Sequence, residues 1–439
     1  MALVVKNNMQ AKNTLNQLNR NEKALSKDLK KVASGMKINS AADDASGLSI
    51  AEKMDVRLRS LEQDNQNVQN GNSMLKVAEG AMSSTVDILK TMKEKVINAA
   101  NDTNSDADRA IIQKEIDQAI DQIDDNANAM YNGKVMLDGS KNDYVKEPGT
   151  FTHLTNSSFA DGVGESTPLV NLTARTGDSV GILAGDTITV SYVKNGETHI
   201  KSFTVEEETW FGDVFDWTPC NEDLTIQDFP EDRSTIGEDQ FGNTVYTPDR
   251  GEAITYRSKN PGIDGQVSGL TICVQDKEGN LRKSANAILD NFNETIRAQN
   301  PTPDNAIVLQ SGTKANEAIK VGFSDMRSVA LGLKTPEGKT LNISTQANAN
   351  AAINVVDTAL QKVLDLQTKI GSVESRLDYT SSNITVAAEN TQSSMSVIRD
   401  ADMAKEMTAY TKDNVLLQAS QSMLAQANQN SSSVLSLLQ

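Results

Sequence analysis

Met54, Leu61, Val68, Leu75, Met82, Leu89 and Val96 recur every seven residues without a break. At 1.5 Å per residue, a helix carrying that row is about 64 Å long. A stripe of that length stays uncovered unless other helices lie along it. The far end of the chain supplies a matching pattern. Val356, Val363, Ile370, Leu377 and Ile384 form one heptad row, and Ala359, Leu366, Val373, Thr380 and Ala387 stand three residues after them, which makes an a/d seam. Two more segments repeat the theme. Ala11, Leu18, Leu25 and Val32 follow Val4 at steps of seven, flanked by Leu15 and Leu29, and Met403, Tyr410, Leu417 and Leu424 run near the C-terminus.

The breaks between these rows carry helix-ending and helix-starting residues. Ser34-Gly35 closes the first helix, because glycine takes the left-handed C′ conformation most readily. Asp43 and Asp44 favour the start of the next through capping and the helix dipole. Residues 101–105 read as a break, and Asp106 or Asp108 starts a third helix bearing Ile112, Ile116, Ile123 and Met130, which stops near Tyr131-Asn132-Gly133.

Composition places something different between these flanks. Of 18 aromatic residues, only Tyr131, Tyr379 and Tyr410 fall outside 144–323, and all nine prolines lie between Pro148 and Pro336. Two β-rich runs, Asp186 to Tyr192 and Thr198 to Val205, flank Asn195-Gly196, a strong hairpin-turn pair. A helix is expected over 284–299. Residues 141–304 therefore read as a mixed, mainly β, inserted domain. Both its ends meet helical flanks, so the fold class is mainly α at the ends, a long coiled-coil stem, with that insertion: an elongated multi-domain α+β chain.

Of the net charge of −17, most sits in the centre; residues 1–140 carry 18 basic against 20 acidic groups and residues 346–439 carry 6 against 9. An acidic centre without a basic stripe argues against nucleic acid or an anionic membrane as partner. No run approaches ~20 apolar residues, and the start lacks the apolar stretch of a signal peptide. Cys220 and Cys273 are either packed thiols or one disulfide.

Sites for chemistry are scarce. His153 and His199 lie far apart, with no His-Glu-x-x-His, Cys-x-x-Cys, Gly-x-Ser-x-Gly or phosphate-binding glycine loop, so neither a catalytic site, a metal nor a cofactor is expected. The paired carboxylates Asp43-Asp44 and Asp400-Ala-Asp402 read as caps or ion-pair partners. The seams themselves are diluted. Asn65, Asn72, Glu79 and Asn414 occupy places where a strong coiled coil has Leu. Polar seam positions lower stability while fixing register and partner. Such a helix is either weak and solvated, or built to stay soluble alone and zip up against copies of its own chain.

Two long motifs resemble bacterial flagellin. One runs from Ala33-Ser-Gly-Met-Lys-Ile-Asn-Ser-Ala-Ala-Asp-Asp to Met54; the other joins Ile398-Arg-Asp-Ala-Asp-Met-Ala-Lys-Glu-Met407 to Gln418-Ala-Ser-Gln-Ser-Met-Leu-Ala-Gln-Ala-Asn-Gln429. The similarity covers roughly 1–140 and 305–439, and 141–304 stands where flagellins vary. One departure is order: Leu309 to Gly312 and Ser324 to Gly332 resemble a β-hairpin segment that in many flagellins follows the N-terminal helices almost directly.

The resemblance implies an extracellular filament subunit, secreted through the flagellar type III apparatus without a cleaved signal. Residues 1–40 with 396–439 are then inner coiled-coil helices, 41–140 with 305–395 a helical stem with a small hairpin, and 141–304 the variable, surface-exposed domain. The self-assembly seam is Leu18, Leu25, Val32, Met54, Leu61, Val68, Val363, Ile370, Leu377, Ile384, Tyr410, Leu417 and Leu424. Implied partners are further copies of the chain, an export chaperone on the C-terminal helix, and the filament cap and hook-junction proteins. A Toll-like receptor is a further one, on Leu89, Lys90, Thr91, Glu94, Lys95, Asn98 and Glu115. Thr91 stands where recognised flagellins carry arginine and Lys95 where an apolar residue is usual, so weakened recognition is expected. The alternative within the same apparatus is the hook–filament junction protein. The terminal arms, with one aromatic residue and interrupted seams, are expected to gain helical order only on assembly.

Overall fold

Each long helix begins and ends at a residue that satisfies its backbone. In the computed structural model, which describes residues 8–226, 234–247 and 250–437, α1 (Met9–Ser34) opens where the Asn8 side chain accepts the Ala11 N–H at 3.0 Å. It closes at Gly35, whose φ of 70° lets its N–H reach the Lys31 carbonyl. α2 (Ala45–Ala100) starts behind Asp44, which accepts the Gly47 N–H at 3.0 Å. At the other end of α2, the buried Arg109 guanidinium donates to the carbonyls of Ala99 and Asn101. α3 (Asp106–Ala127) carries a reciprocal capping box between Ser105 and Asp108.

The third helix stops before Met130. Instead β1 (Met130–Tyr131) pairs with β2 (Lys134–Val135) around Asn132 and Gly133, both at positive φ. The heptad step to Met130 was accidental: its side chain is exposed, whereas Ile120, off that row, is fully buried beside Ile116 and Ile123.

The centre holds β3 (His153–Asn156), β4 (Thr187–Lys194), β5 (Glu197–Thr204), α4 (Cys220–Asp223), β6 (Leu224–Ile226), β7 (Thr235–Glu238), β8 (Thr244–Tyr246), β9 (Ile254–Ser258), β10 (Val267–Gln275), α5 (Lys283–Leu289) and β11 (Asn293–Ile296). Then come β12 (Ile307–Gln310), β13 (Ala318–Val321), α6 (Ser328–Leu331), α7 (Gln346–Arg399) and α8 (Met403–Leu437). Two antiparallel sheets, ordered β10-β4-β5 and β11-β3-β9-β6, dominate this central region. Asn195 and Gly196, at φ 48° and 72°, close the expected β4–β5 hairpin. The aromatic residues concentrate here: Phe211, Phe215 and Tyr256 sit in one core with Ile188, Val190 and Tyr192, and the Phe215 and Tyr256 rings are 4.0 Å apart.

The helix expected over 284–299 is cut short at Leu289. Asn293–Ile296 pairs with β3 instead, and Thr295 Oγ1 bonds Thr155 Oγ1 at 2.8 Å. A partner strand with a Thr ladder outweighs local helix preference. Both cysteines are free thiols; Cys220 is buried, and burial pushes its pKa up to about 12.

The chain divides into two compact units, one of residues 69–309 and 318–378, the other of 1–68, 310–317 and 379–439. In the first, α2 and α7 run antiparallel, since Lys93 pairs with Asp357 at 2.6 Å and Asn72 with Asp378 at 2.9 Å. Leu75, Met82, Leu89 and Val96 of α2 are buried with Val356, Val363, Ile370 and Leu377 of α7. Strand β10 lies hard against α7. Gly269, at φ 66°, leaves no room for a side chain, because a Cβ would come within 2.6 Å of Val355 Cγ2 and 3.0 Å of the Ala351 carbonyl. Gly269→Ala is therefore expected to lower stability by at least ~1–2 kcal/mol. Chemical denaturation that leaves the midpoint unchanged would show that this approach is slack.

Candidate assembly surface

The second unit, by itself, presents the least-covered large apolar residues among those described. α1 and α8 run antiparallel: Lys31 pairs with Glu406 at 3.1 Å, Asn21 Nδ2 donates to Ser420 Oγ at 2.7 Å, and Asn8 Nδ2 donates to the Ala427 carbonyl at 3.2 Å. The arms, expected to order only on assembly, are helical and paired here. Their middle layer is polar. Asn21 is buried and also donates to the Leu416 carbonyl, so the two bonds its Nδ2 donates set the register of α8. Backbone bonds from Lys37 to Arg399 and from Ala401 to Gly35 join the two turns beside this pair.

The thirteen seam residues fall into two groups. Leu61, Val68, Val363, Ile370, Leu377 and Ile384 are buried within the single chain. These rows are core, and offer little surface to another copy. Leu18, Leu25, Val32, Met54, Tyr410, Leu417 and Leu424 are only half-buried. Around them lie residues with still more open area: Leu15, Leu29 at 51%, Met407, Val415, Leu416 and Met423 at 63%. Tyr379 and Val397 of α7 are more open again, at 72% and 77%. Heptad counting missed Met407, Val415 and Met423 because they step by eight residues, along the i, i+4 ridge of a straight helix.

The carboxylate pairs do backbone and ion-pair work. Asp44 caps α2, Asp402 accepts the N–H groups of Ala404 and Lys405 at the start of α8, and Asp43 pairs with Lys27 at 3.2 Å. Hydrogen bonds from Lys27 and Ser40 hold the Asp43 carboxyl below the usual range. Asp64 is the exception. It is buried on α2, and burial, with Glu317 beside it, raises its carboxyl above that range.

The residues expected to meet a Toll-like receptor lie on the surface except for one. Lys90, Thr91, Glu94, Asn98 and Glu115 are exposed and Lys95 is half-exposed, bound to Glu115 at 2.6 Å. Leu89 points the other way, fully buried in the α2 seam, because position 89 belongs to the heptad row itself. Among the described residues no His, Cys, Asp and Glu group is placed to hold a metal, and no helix is long and apolar enough to cross a membrane.

The described residues thus combine long terminal helices, with half-covered seams, and a β-rich central stretch. The model of the bacterial flagellin N-terminal helical region matches residues 5–142, and that of the C-terminal helical region matches 353–438. The chain belongs to the bacterial flagellin family, a family of structural proteins. It is 30% identical to a flagellin of Clostridium tyrobutyricum, over 97% of this chain and 99% of the relative. It is also 30% identical to polar flagellin A of Vibrio parahaemolyticus, over the full length of both. Among solved structures, the flagellar junction protein FlgL from Legionella pneumophila is 14% identical and covers 80% of this chain and 99% of its own, at a TM-score of 0.31.

Proposed function

We propose that the chain is the repeating subunit of the motility filament, added head-to-tail in an open helical array outside the cell. The observation that carries this is the half-covered α1–α8 pair, with Leu29, Met407 and Met423 open beside a buried Asn21–Ser420 layer. Apolar area left open on both helices of a pair calls for neighbours, and one interface repeated without closure yields a filament rather than a ring. In this reading 1–40 with 396–439 form the inner coiled coil, 41–140 with 305–395 the stem, and 141–304 the outer, surface-exposed domain. The subunit leaves through the flagellar type III apparatus, with an export chaperone on the C-terminal helix, and meets cap and hook-junction proteins at the two filament ends. Purified chain seeded with filament fragments and viewed by electron microscopy should grow long filaments. Discrete closed oligomers would overturn the reading.

A Toll-like receptor is the further partner, held weakly. Lys95 is tied to Glu115 where an apolar contact is wanted, and Thr91 offers one hydroxyl, already bonded to the Asp87 carbonyl at 3.0 Å, in place of a guanidinium fork. The double variant Thr91→Arg, Lys95→Leu should gain signalling by about tenfold or more in a reporter-cell titration, the scale of one interface hot spot. An unchanged titration curve would remove the patch from the account.

A further inference from the structure

The insertion holds a cavity of about 380 Å³ beside β6. Trp210 stands in its wall with 45% of its surface exposed, although the next residue, Phe211, is fully buried in the aromatic core. The indole is held out by a fixed backbone. Thr209 accepts the Leu169 N–H at 2.9 Å, the Phe211 N–H donates to Thr167 at 2.9 Å, and the Trp210 N–H donates to Asp213 Oδ2 at 2.8 Å. A fixed backbone under the indole reduces the ordering entropy lost when a ligand lands on it.

Around this face the polar groups are mostly acceptors. Asp213 is oriented by the Trp210 N–H, and Asp216 by Asn221 Nδ2 at 3.2 Å, so each carboxylate is set in position with a second oxygen to offer. Glu165 lies over Gly212, where any Cβ would strike its Cγ. Lys259, the one cation in the lining among the described residues, already donates to the Asn221 carbonyl. Tyr256 completes the wall; it is 2% exposed and its hydroxyl has no hydrogen-bond partner among the described residues. Burial raises its pKa well above the ordinary tyrosine value, so the hydroxyl remains a donor.

The chemistry narrows the ligand. Among the described residues, an anion meets three carboxylates against one engaged ammonium. A metal ion has no cluster of three ligating side chains among the described residues. A purely apolar ligand strands the carboxylates without water. A pyranose ring has one apolar C–H face for the indole and a rim of hydroxyl donors for fixed carboxylates. We propose that this cavity binds a neutral saccharide unit, stacked on Trp210 and hydrogen-bonded to Asp213, Asp216 and Glu165.

The test uses the full-length chain. One arm is calorimetric titration with glucose, galactose, mannose and N-acetylglucosamine; the other is a printed array of neutral and sialylated glycans. Saturable binding of a free sugar assigns a soluble ligand, and binding to neutral-ended array glycans alone assigns a surface glycan; both support the site. Trp210→Ala should weaken either by about tenfold, and Asp213→Asn, which keeps an oxygen for the Trp210 N–H, by a few-fold, each with an unchanged thermal midpoint. If Trp210→Ala shifts that midpoint, Trp210→Phe replaces it and should retain part of the affinity. Absence of binding at about 10 mM sugar in both arms, preference for sialylated glycans, or undiminished binding by the Trp210 variants would each overturn the proposal.

Discussion

Leu417→Asp or Leu424→Asp is expected to stop polymerisation while leaving residues 69–309 and 318–378 folded. Both leucines are half-buried on α8, in the pair with α1, whose buried layer is the Asn21–Ser420 hydrogen bond. A carboxylate there must lose water without a partner, and a penalty of about 3–4 kcal/mol per subunit follows from unpaired charge in a covered seam. Each 1.4 kcal/mol is tenfold in an equilibrium constant, so the critical concentration should rise about 100-fold or more. Sedimentation after seeding reads this directly, and circular dichroism checks that the unfolding transition of the rest survives. Sedimentation at the unmodified protein's concentration would mean that α8 faces no neighbour.

The largest effect on the monomer is expected from Glu294→Ala. Lys362 on α7 and Glu294 on β11 face each other at 3.4 Å with both side chains 5% exposed. Gln266, with its amide turned so that the oxygen faces Lys362, accepts from the same ammonium and donates to the Ala330 carbonyl. Removing Glu294 strands a buried charge, at a cost of about 3–5 kcal/mol, whereas Lys362→Met with Glu294→Leu should be neutral or stabilising. The pH dependence has a definite sign. Burial holds Lys362 below the ordinary lysine range, Glu294 opposes that shift, and Arg297 adds to it. Without Glu294 the native chain sheds the proton that the unfolded chain keeps up to 10.5, so the deficit should shrink as pH rises towards that value. Denaturant titrations at neutral and alkaline pH measure it. A loss under ~1 kcal/mol at neutral pH would show that water reaches the pair. The same pair bears on removal of the insertion: a deletion joining Gly139 to Asn305 takes Glu294 away and should need Lys362→Met to fold well.

Legibility in the sequence followed the physics of each element. The rows of α2 and α7 could be read because a seven-residue period sustained over many turns suits little besides a helix packed along its length. The Ser34-Gly35 and Asn195-Gly196 signals were legible because they rest on backbone conformations that only a few residues take easily. The end of α3 and the extent of α5 were misread, since Met130 and Thr295 are placed by strand pairing rather than by helical period. The assembly surface was half legible. Heptad counting found residues that alternate with others, but it cannot distinguish a row covered by the chain's own α7, such as Leu61 and Val68, from one left open, such as Leu417. Trp210 gave no pattern at all, because a single exposed aromatic residue acquires meaning only beside Asp213, Asp216 and Tyr256.

The central claim is that the α1–α8 pair is completed by neighbouring subunits. Ordering a residue's backbone costs ~1–2 kcal/mol, and a pair with a polar middle layer and open Leu29 and Met423 has little apolar area to offset that alone. Limited proteolysis of monomer and polymer at equal protein concentration, with fragments identified by mass, tests this most directly. The account predicts rapid cleavage confined to residues 1–40 and 396–439 in the monomer, and protection of those same bonds in the polymer. Arms that resist cleavage equally in both states would contradict it.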